Sequence, residues 1–297
     1  MSVRRLFVIG STTLVIVLII MFWLNPSISA IEQPQTTSPP VCSVEELQTV
    51  LDRLFEASGQ LATAGQAVPR PRTSEDYARL ALAYEAAVGT YYDDINPQMP
   101  ACIDGLLMGN AMGDLLDAAL FGVLESAVAR YERDTGDPNM AEVLDEHAAQ
   151  SVALSLERRD ALDSDISRIL EYRPLTGLYW SRDCTVNEWQ QYTRALDKLK
   201  AYWDEELVPL VNETFGTSLE LNIVLGVRDM IDMVDALEIP DCAELQEVER
   251  EAQQHYTDAY VTVMFARLGQ YAPLQANSDL AAAVQNVFDA RRNTLEN

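Results

Sequence analysis

The chain has 297 residues, of which 48% are hydrophobic, and a formal net charge of −25 from 46 acidic and 21 basic residues. This length and composition fit about two globular domains and exclude a disordered chain. A surface this acidic repels phosphate groups, which argues against nucleic-acid binding and against docking on anionic lipid. The prevalence of strong helix formers, without sustained two-residue alternation, predicts an all-α fold.

Residues 1–30 have the pattern of an export segment. Arg4 and Arg5 precede an apolar run from Leu6 to Leu24, and Ala30 offers an acceptable cleavage site. Positive charge ahead of such a run leaves the N-terminus in the cytoplasm and directs the C-terminal remainder of the chain across the membrane. The run is long for a signal peptide and just long enough to span a bilayer, so we expect either a cleaved signal peptide or a transmembrane anchor.

Residues 31–41 form a tether rich in Pro, Thr, Ser and Gln, which cannot build a packed core. Everything after it is therefore expected to be extracytoplasmic, either secreted or held at the cell surface by the N-terminal segment. Disulfides persist in that compartment, and the even count of four cysteines fits this expectation.

The four cysteines stand in two matching frames. Each frame opens with Cys-(Ser/Thr)-Val-x-Glu, at Cys42 and at Cys184, and closes with Pro-x-Cys, at Cys102 and at Cys242. Four cysteines allow three pairings. The matched frames favour Cys42–Cys102 and Cys184–Cys242, and a link between Cys42 and Cys184 would contradict the repeat.

The frames indicate a tandem duplication of a disulfide-clasped unit of four helices. We place copy one at residues 42–172, a linker at 173–183 and copy two at 184–297. In an up-down-up-down bundle the first and third helices start at the same end, so a cysteine at each start could reach the other.

Copy one begins with a capping box, Ser43 with Glu46, which predicts the start of its first helix. The second helix is predicted from Ser74 to Ile95, capped by Thr73 or Ser74. The third begins at Cys102, and the fourth runs from Asn139 to Leu170.

Three glycines, Gly105, Gly109 and Gly113, recur every four residues on the third helix of copy one. Each costs a helix about 1 kcal/mol relative to alanine, so the stripe indicates that something lies very close to that face. The two interpretations are close helix packing and a groove for a ligand or partner helix. Acidic residues in this apolar segment favour a bundle helix over a second membrane span.

Copy two repeats the capping box as Thr185 with Glu188. Its second helix is predicted from Ser218 to Leu237 and its fourth from Ser278 to Leu295. An Arg-Arg-x-x-Leu motif in this last helix repeats one in the fourth helix of copy one.

Few residues suggest chemistry. Asp229, Asp232 and Asp235 form a carboxylate row that could hold calcium, although the wet face of a helix is the simpler interpretation. The two histidines, His147 and His255, lack the Glu-x-x-His spacing of helical metal sites. We therefore predict no metal or other cofactor.

Recognition features are equally sparse. Tyr91 and Tyr92, and Tyr179 and Trp180, are aromatic pairs near helix ends that suit recognition or, more simply, packing.

The leading hypothesis is a non-catalytic, extracytoplasmic helical module that binds an unknown protein or small ligand. It rests on export, duplication and the lack of a catalytic motif. The alternatives are an envelope-associated enzyme or metal-binding bundle whose residues are scattered in sequence, and a structural spacer.

Overall fold

A computed structural model describes residues 40–171, 184–202 and 257–296, with a few further positions between 205 and 233. Throughout these residues the secondary structure is helical and contains no strand, which confirms the all-α prediction. The helices are α1 (Val44–Gln66), α2 (Ser74–Thr90), α3 (Ile103–Thr135), α4 (Pro138–Leu170), α5 (Val186–Tyr202), α6 (helical residues 257–268), α7 (Ala272–Ala276) and α8 (Ser278–Glu296).

Local capping sets where the first two helices begin. At α1, the backbone N–H of Glu46 donates to Ser43 Oγ, while the Ser43 N–H donates to Glu46 Oε2 at 2.7 Å. Thr73 and Asp76 form the same reciprocal pair at α2. These boxes satisfy backbone N–H groups that have no partner inside the helix, so both predicted starts are confirmed.

A sharp turn joins α3 to α4. Gly136 ends α3, Asp137 caps α4 by accepting from the N–H of Asn139 at 2.9 Å, and Pro138 occupies the first helical position. Proline suits this position because its missing N–H would have no partner there. The two helices form an antiparallel hairpin that packs along most of its length.

A buried disulfide joins Cys42 to Cys102, with 5.1 Å between their Cα atoms, as the matched frames predicted. It links the residue just before the α1 cap to the N-cap of α3. The Ile103 N–H donates to the carbonyl of Pro40 at 3.0 Å, so the chain entry is also hydrogen-bonded to the start of α3.

The chain forms two compact units. One comprises Ser38–Asp183 and Met264–Val287, and the other includes Cys184–Val263 and Phe288–Asn297. In the first unit α3 is central, because it packs against α1, α2 and α4. This unit takes in Met264–Val287, a segment that the sequence assigns to copy two.

In the other unit, α5 starts at the second predicted capping box. The Thr185 N–H donates to Glu188 Oε2 at 2.8 Å, and the Glu188 N–H donates to Thr185 Oγ1. Cys184, just before this box, is buried and disulfide-bonded. Its predicted partner Cys242 lies outside the described residues.

Several other predictions also fall outside the described residues. They are the export segment at residues 1–30, residues 31–39 of the tether, the linker with Tyr179 and Trp180, most of the predicted helix from Ser218 to Leu237, Asp232, Asp235 and His255.

Candidate functional site

The glycine stripe of α3 lies against the chain's own α2–α3 connection. A Cβ built on Gly105 would overlap the carbonyl oxygen of Pro100, and one on Gly109 would lie 3.1 Å from Asn96 Oδ1. A Cβ on Gly113 would lie 2.9 Å from the hydroxyl of Tyr92. Close packing therefore explains the glycine at all three positions of the stripe.

The connection that covers the stripe begins with one turn of π-helix, Tyr91–Ile95, at the end of α2. Such turns are uncommon and place side chains differently from a regular α-helix. Here Tyr91 donates to the carbonyl of Gly109, and the Tyr92 hydroxyl donates to Asp117 Oδ2 at 2.8 Å. The two rings meet edge to face with centroids 5.2 Å apart.

The electrostatics of this cluster keep Tyr92 protonated. Burial raises the pKa of Tyr92 well above its ordinary value, and the neighbouring carboxylate of Asp117 raises it further. A phenol that stays neutral remains a hydrogen-bond donor, which is what a buried carboxylate requires of its neighbour. The cluster is therefore a fixed structural contact between α3 and the connection.

Carboxylates recur along α3 even where the helix is fully buried. Asp104 and Glu125 have 0% of their surface exposed, Glu132 has 1% and Asp117 has 4%. Because burying a charge without partners is costly, each carboxylate is expected to be engaged by neighbouring groups. One such partner is on α4, where the buried Ser151 hydroxyl donates to Glu125 Oε2 at 2.8 Å.

A polar network around Glu132 joins Arg267 of α6 and Tyr271, the N-cap of α7, to α3. Arg267 Nε donates to Glu132 Oε1 at 3.0 Å, and both Arg267 Nη2 and the Tyr271 hydroxyl donate to the same oxygen. The other carboxylate oxygen accepts from the Asp137 N–H at 3.1 Å. We refer to Glu132, Arg267 and Tyr271 as the buried clasp.

The surroundings of the buried clasp shift the pKa values of Glu132 and Tyr271. Burial alone would raise the pKa of Glu132, but hydrogen bonds from Tyr271 and Arg267 and from the Asp137 backbone lower that pKa below its ordinary value. Burial raises the pKa of Tyr271, so its hydroxyl stays a donor. Glu132 is therefore the charged partner of Arg267 at neutral pH.

Aromatic stacking reinforces the clasp. The ring of Tyr131 stacks on that of Tyr271, with centroids 4.9 Å apart and 8° between their planes. Burial, with a smaller contribution from Glu75, raises the pKa of Tyr131 to about 12. A Cβ at Gly136 would overlap Glu132 Oε2, so a larger residue there would displace the carboxylate of the clasp.

Reasoning from the sequence missed the clasp. Glu132 and Arg267 are 135 positions apart, so no local pattern relates them. The available signal was an acidic residue on the buried face of an apolar helix, which demands a cation from elsewhere in the fold.

The remaining candidates do not assemble into a reactive centre in the described part of the chain. No group of three or more His, Cys, Asp or Glu side chains there has the spacing to hold a metal ion. Asp229 is helical and exposed, and His147 is half-buried on α4. Among the described residues, α3 is long and apolar enough to cross a membrane. However, 61% of its most apolar 18-residue stretch is buried inside the protein.

Comparison with models of known families, with curated proteins and with solved structures finds no match to this chain.

Proposed function

We propose that the protein is an extracytoplasmic, all-helical binding module, made of two related units and either secreted or anchored by residues 1–30. The observation that carries this proposal is the buried Cys42–Cys102 disulfide, placed where the chain leaves its tether. Disulfides form and persist outside the cytosol, so the bond supports an exported protein.

The internal use of buried polar groups favours binding over catalysis. Glu132 is engaged by Arg267 and Tyr271, Glu125 by Ser151, and Asp117 by Tyr92. A catalytic acid or base needs to face a reactant within hydrogen-bonding distance. These groups instead hold helices together, which leaves the molecular surface as the part that can act on a partner.

The alternatives make different predictions. A metal-binding bundle would retain bound metal after purification. An envelope enzyme would show catalytic turnover in the purified protein. A structural spacer requires no saturable ligand. The described residues contain no group of three or more potential metal ligands. This absence favours neither the enzyme or metal-binding alternative nor the spacer over the binding module.

Location is tested first, on intact source cells that express the full chain with a C-terminal epitope. We expect the epitope to be digested by added protease, and non-reducing peptide mapping to recover the Cys42–Cys102 link. Protection of the epitope until the cells are lysed, together with reduced thiols, would overturn the extracytoplasmic assignment.

Binding is tested next with a membrane-impermeant crosslinker on the same cells. We expect a recurrent partner that, once purified, binds the purified chain saturably and with fixed stoichiometry in calorimetry. Stoichiometric transition metal in the purified protein, or the lack of any saturable partner, would overturn the binding proposal.

A further inference from the structure

Among the described residues, one flank of α4 lies open beside its contact with α3. Among the helices with described bounds, α4 packs extensively on α3 alone, whereas α3 packs on three neighbours. Two large apolar side chains lie on this flank: Val152, which borders Gly122 of α3, is 46% exposed, and Leu156 is 47% exposed. Apolar side chains on an open flank of a helix form a candidate docking surface.

The exposed apolar residues form one row. Ala149, Val152, Ala153 and Leu156 follow at the spacing i, i+3, i+4 and i+7, and all four are exposed. This spacing places side chains on one side of a helix and is the pattern by which two helices pack against each other. We call these four residues the α4 seam.

Acidic residues frame the seam. Glu142 and Glu146 precede it, and Glu157 and Asp163 follow it. All four are exposed, and within the described part of the chain none of them forms an ion pair. The frame therefore presents four negative charges that the described residues leave uncompensated.

This charge pattern disfavours a second copy of the chain as the occupant. In an antiparallel pair centred on the seam, Glu142 would oppose Asp163 at both ends. Glu146 would meet Arg159, which already pairs with Asp160. In a parallel pair, each carboxylate would oppose its own copy, and each chain carries a net charge of −25.

We propose that the α4 seam binds an amphipathic helix of another protein, whose apolar stripe covers Val152 and Leu156 and whose flanking residues are Lys or Arg. The inference rests on the proposed binding function and gives it a surface and a partner class. The apolar contact supplies affinity, and the carboxylate frame selects a basic partner and its orientation.

The probe is a synthetic amphipathic helix of about 20 residues with a leucine stripe flanked by lysines, and its control carries glutamates in place of the lysines. We expect the full chain to bind the lysine peptide saturably and the glutamate peptide not at all. Leu156→Gln should weaken binding about fivefold, since the newly buried part of that side chain is lost from the contact.

Matched variants separate the seam from general charge attraction. Phe55→Gln removes a similarly exposed apolar side chain from α1, where Phe55 is 57% exposed, and should leave binding unchanged. The double variant Glu146→Gln/Glu157→Gln should weaken binding about threefold at low salt. Glu45→Gln/Asp93→Asn removes the same charge elsewhere and should have a smaller effect.

Equal losses in Leu156→Gln and Phe55→Gln would overturn the seam as the site. A dimer of the chain that Leu156→Gln dissociates would overturn it in favour of self-association. If a cell-surface partner binds Leu156→Gln as tightly as the native chain, the binding function stands and the α4 seam is wrong. If the seam binds the basic helix but the protein is cytosolic, the seam stands and the proposed location fails.

Discussion

Helices α3 and α4 are both 33 residues long and form one hairpin, yet they have opposite roles. α3 is buried around most of its circumference and includes four buried carboxylates. α4 buries a single row, made of Ala141, Leu144, Ala148, Ser151, Leu162 and Ile169. Equal length and equal helix type therefore do not imply equal contributions to stability.

This contrast between α3 and α4 shows where a polar residue is costly to change. On α3 a carboxylate such as Glu132 is buried away from water, so its hydrogen-bonding partners decide whether it can be charged. On α4 a carboxylate such as Glu146 faces water, so it can be exchanged with little effect on folding. The same residue type thus supports the core in one helix and is available for recognition in the other.

The largest expected effect comes from breaking the buried clasp. Glu132→Ala leaves Arg267, which is 7% exposed, as a buried charge without its carboxylate. We expect the free energy of unfolding, from urea titration followed by circular dichroism, to fall by about 3–5 kcal/mol. Glu146→Ala on α4 is the control and should change it by less than about 0.5 kcal/mol. Similar values for the two variants would contradict the contrast between the helices.

A matched pair of leucines tests the same contrast without charge. Leu124 on α3 has 0% of its surface exposed, and Leu156 on α4 has 47% exposed. Leu124→Ala should lower the free energy of unfolding by about 2–5 kcal/mol, because it leaves a cavity. Leu156→Ala should lower it by less than about 1 kcal/mol, measured in the same titration. A large cost at Leu156 would show that α4 is covered after all.

Two glycines should respond to alanine with opposite signs. Gly105→Ala on α3 drives a methyl group into the backbone of Pro100 and should destabilise the fold by about 1–3 kcal/mol. Gly89→Ala on α2 meets no atom within 4 Å and should stabilise its helix by up to about 1 kcal/mol. Melting temperatures of the two variants measure this directly, and a stabilising Gly105→Ala would refute the close approach.

The smallest effect is the pH dependence of the clasp. The folded-state pKa of Glu132 lies below the ordinary 4.5, so the unfolded chain binds more protons in the interval between the two values. The contribution of the Glu132 charge to stability is therefore complete above pH 4.5 and is lost as the pH falls through the folded-state pKa. Urea titrations across this range should show a weaker acid destabilisation in Glu132→Gln than in the native protein. An identical pH dependence would mean that Glu132 is not held charged by Arg267.

Local chemistry made much of the first unit predictable. The capping residues Ser43 and Thr73 mark where α1 and α2 begin, and α4 starts at Pro138, one residue before the predicted Asn139. The Cys42–Cys102 bond followed from the matched frames. Capping and frame matching depend on residues close in sequence or on an internal comparison, so one sequence was sufficient.

Contacts between distant segments were not predictable in this way. The pairing of Glu132 with Arg267, and the inclusion of Met264–Val287 in the first unit, depend on tertiary packing that leaves no periodic trace. The glycine stripe was visible, but the π-helical turn that fills it was not. A one-residue change in helical winding at Tyr91 decides what faces Gly109 and Gly113.

If residues 1–30 anchor the chain as proposed, the position of the Cys42–Cys102 bond also sets how the protein carries mechanical load. Tension that enters the chain at Pro40 reaches Cys42 and crosses the sulfur bridge directly to the start of α3. The residues between the two cysteines could extend to about 200 Å, so they stay slack while the bridge is taut. For a protein held by an N-terminal tether, α1 and α2 are thus relieved of the pull, and the central helix bears it.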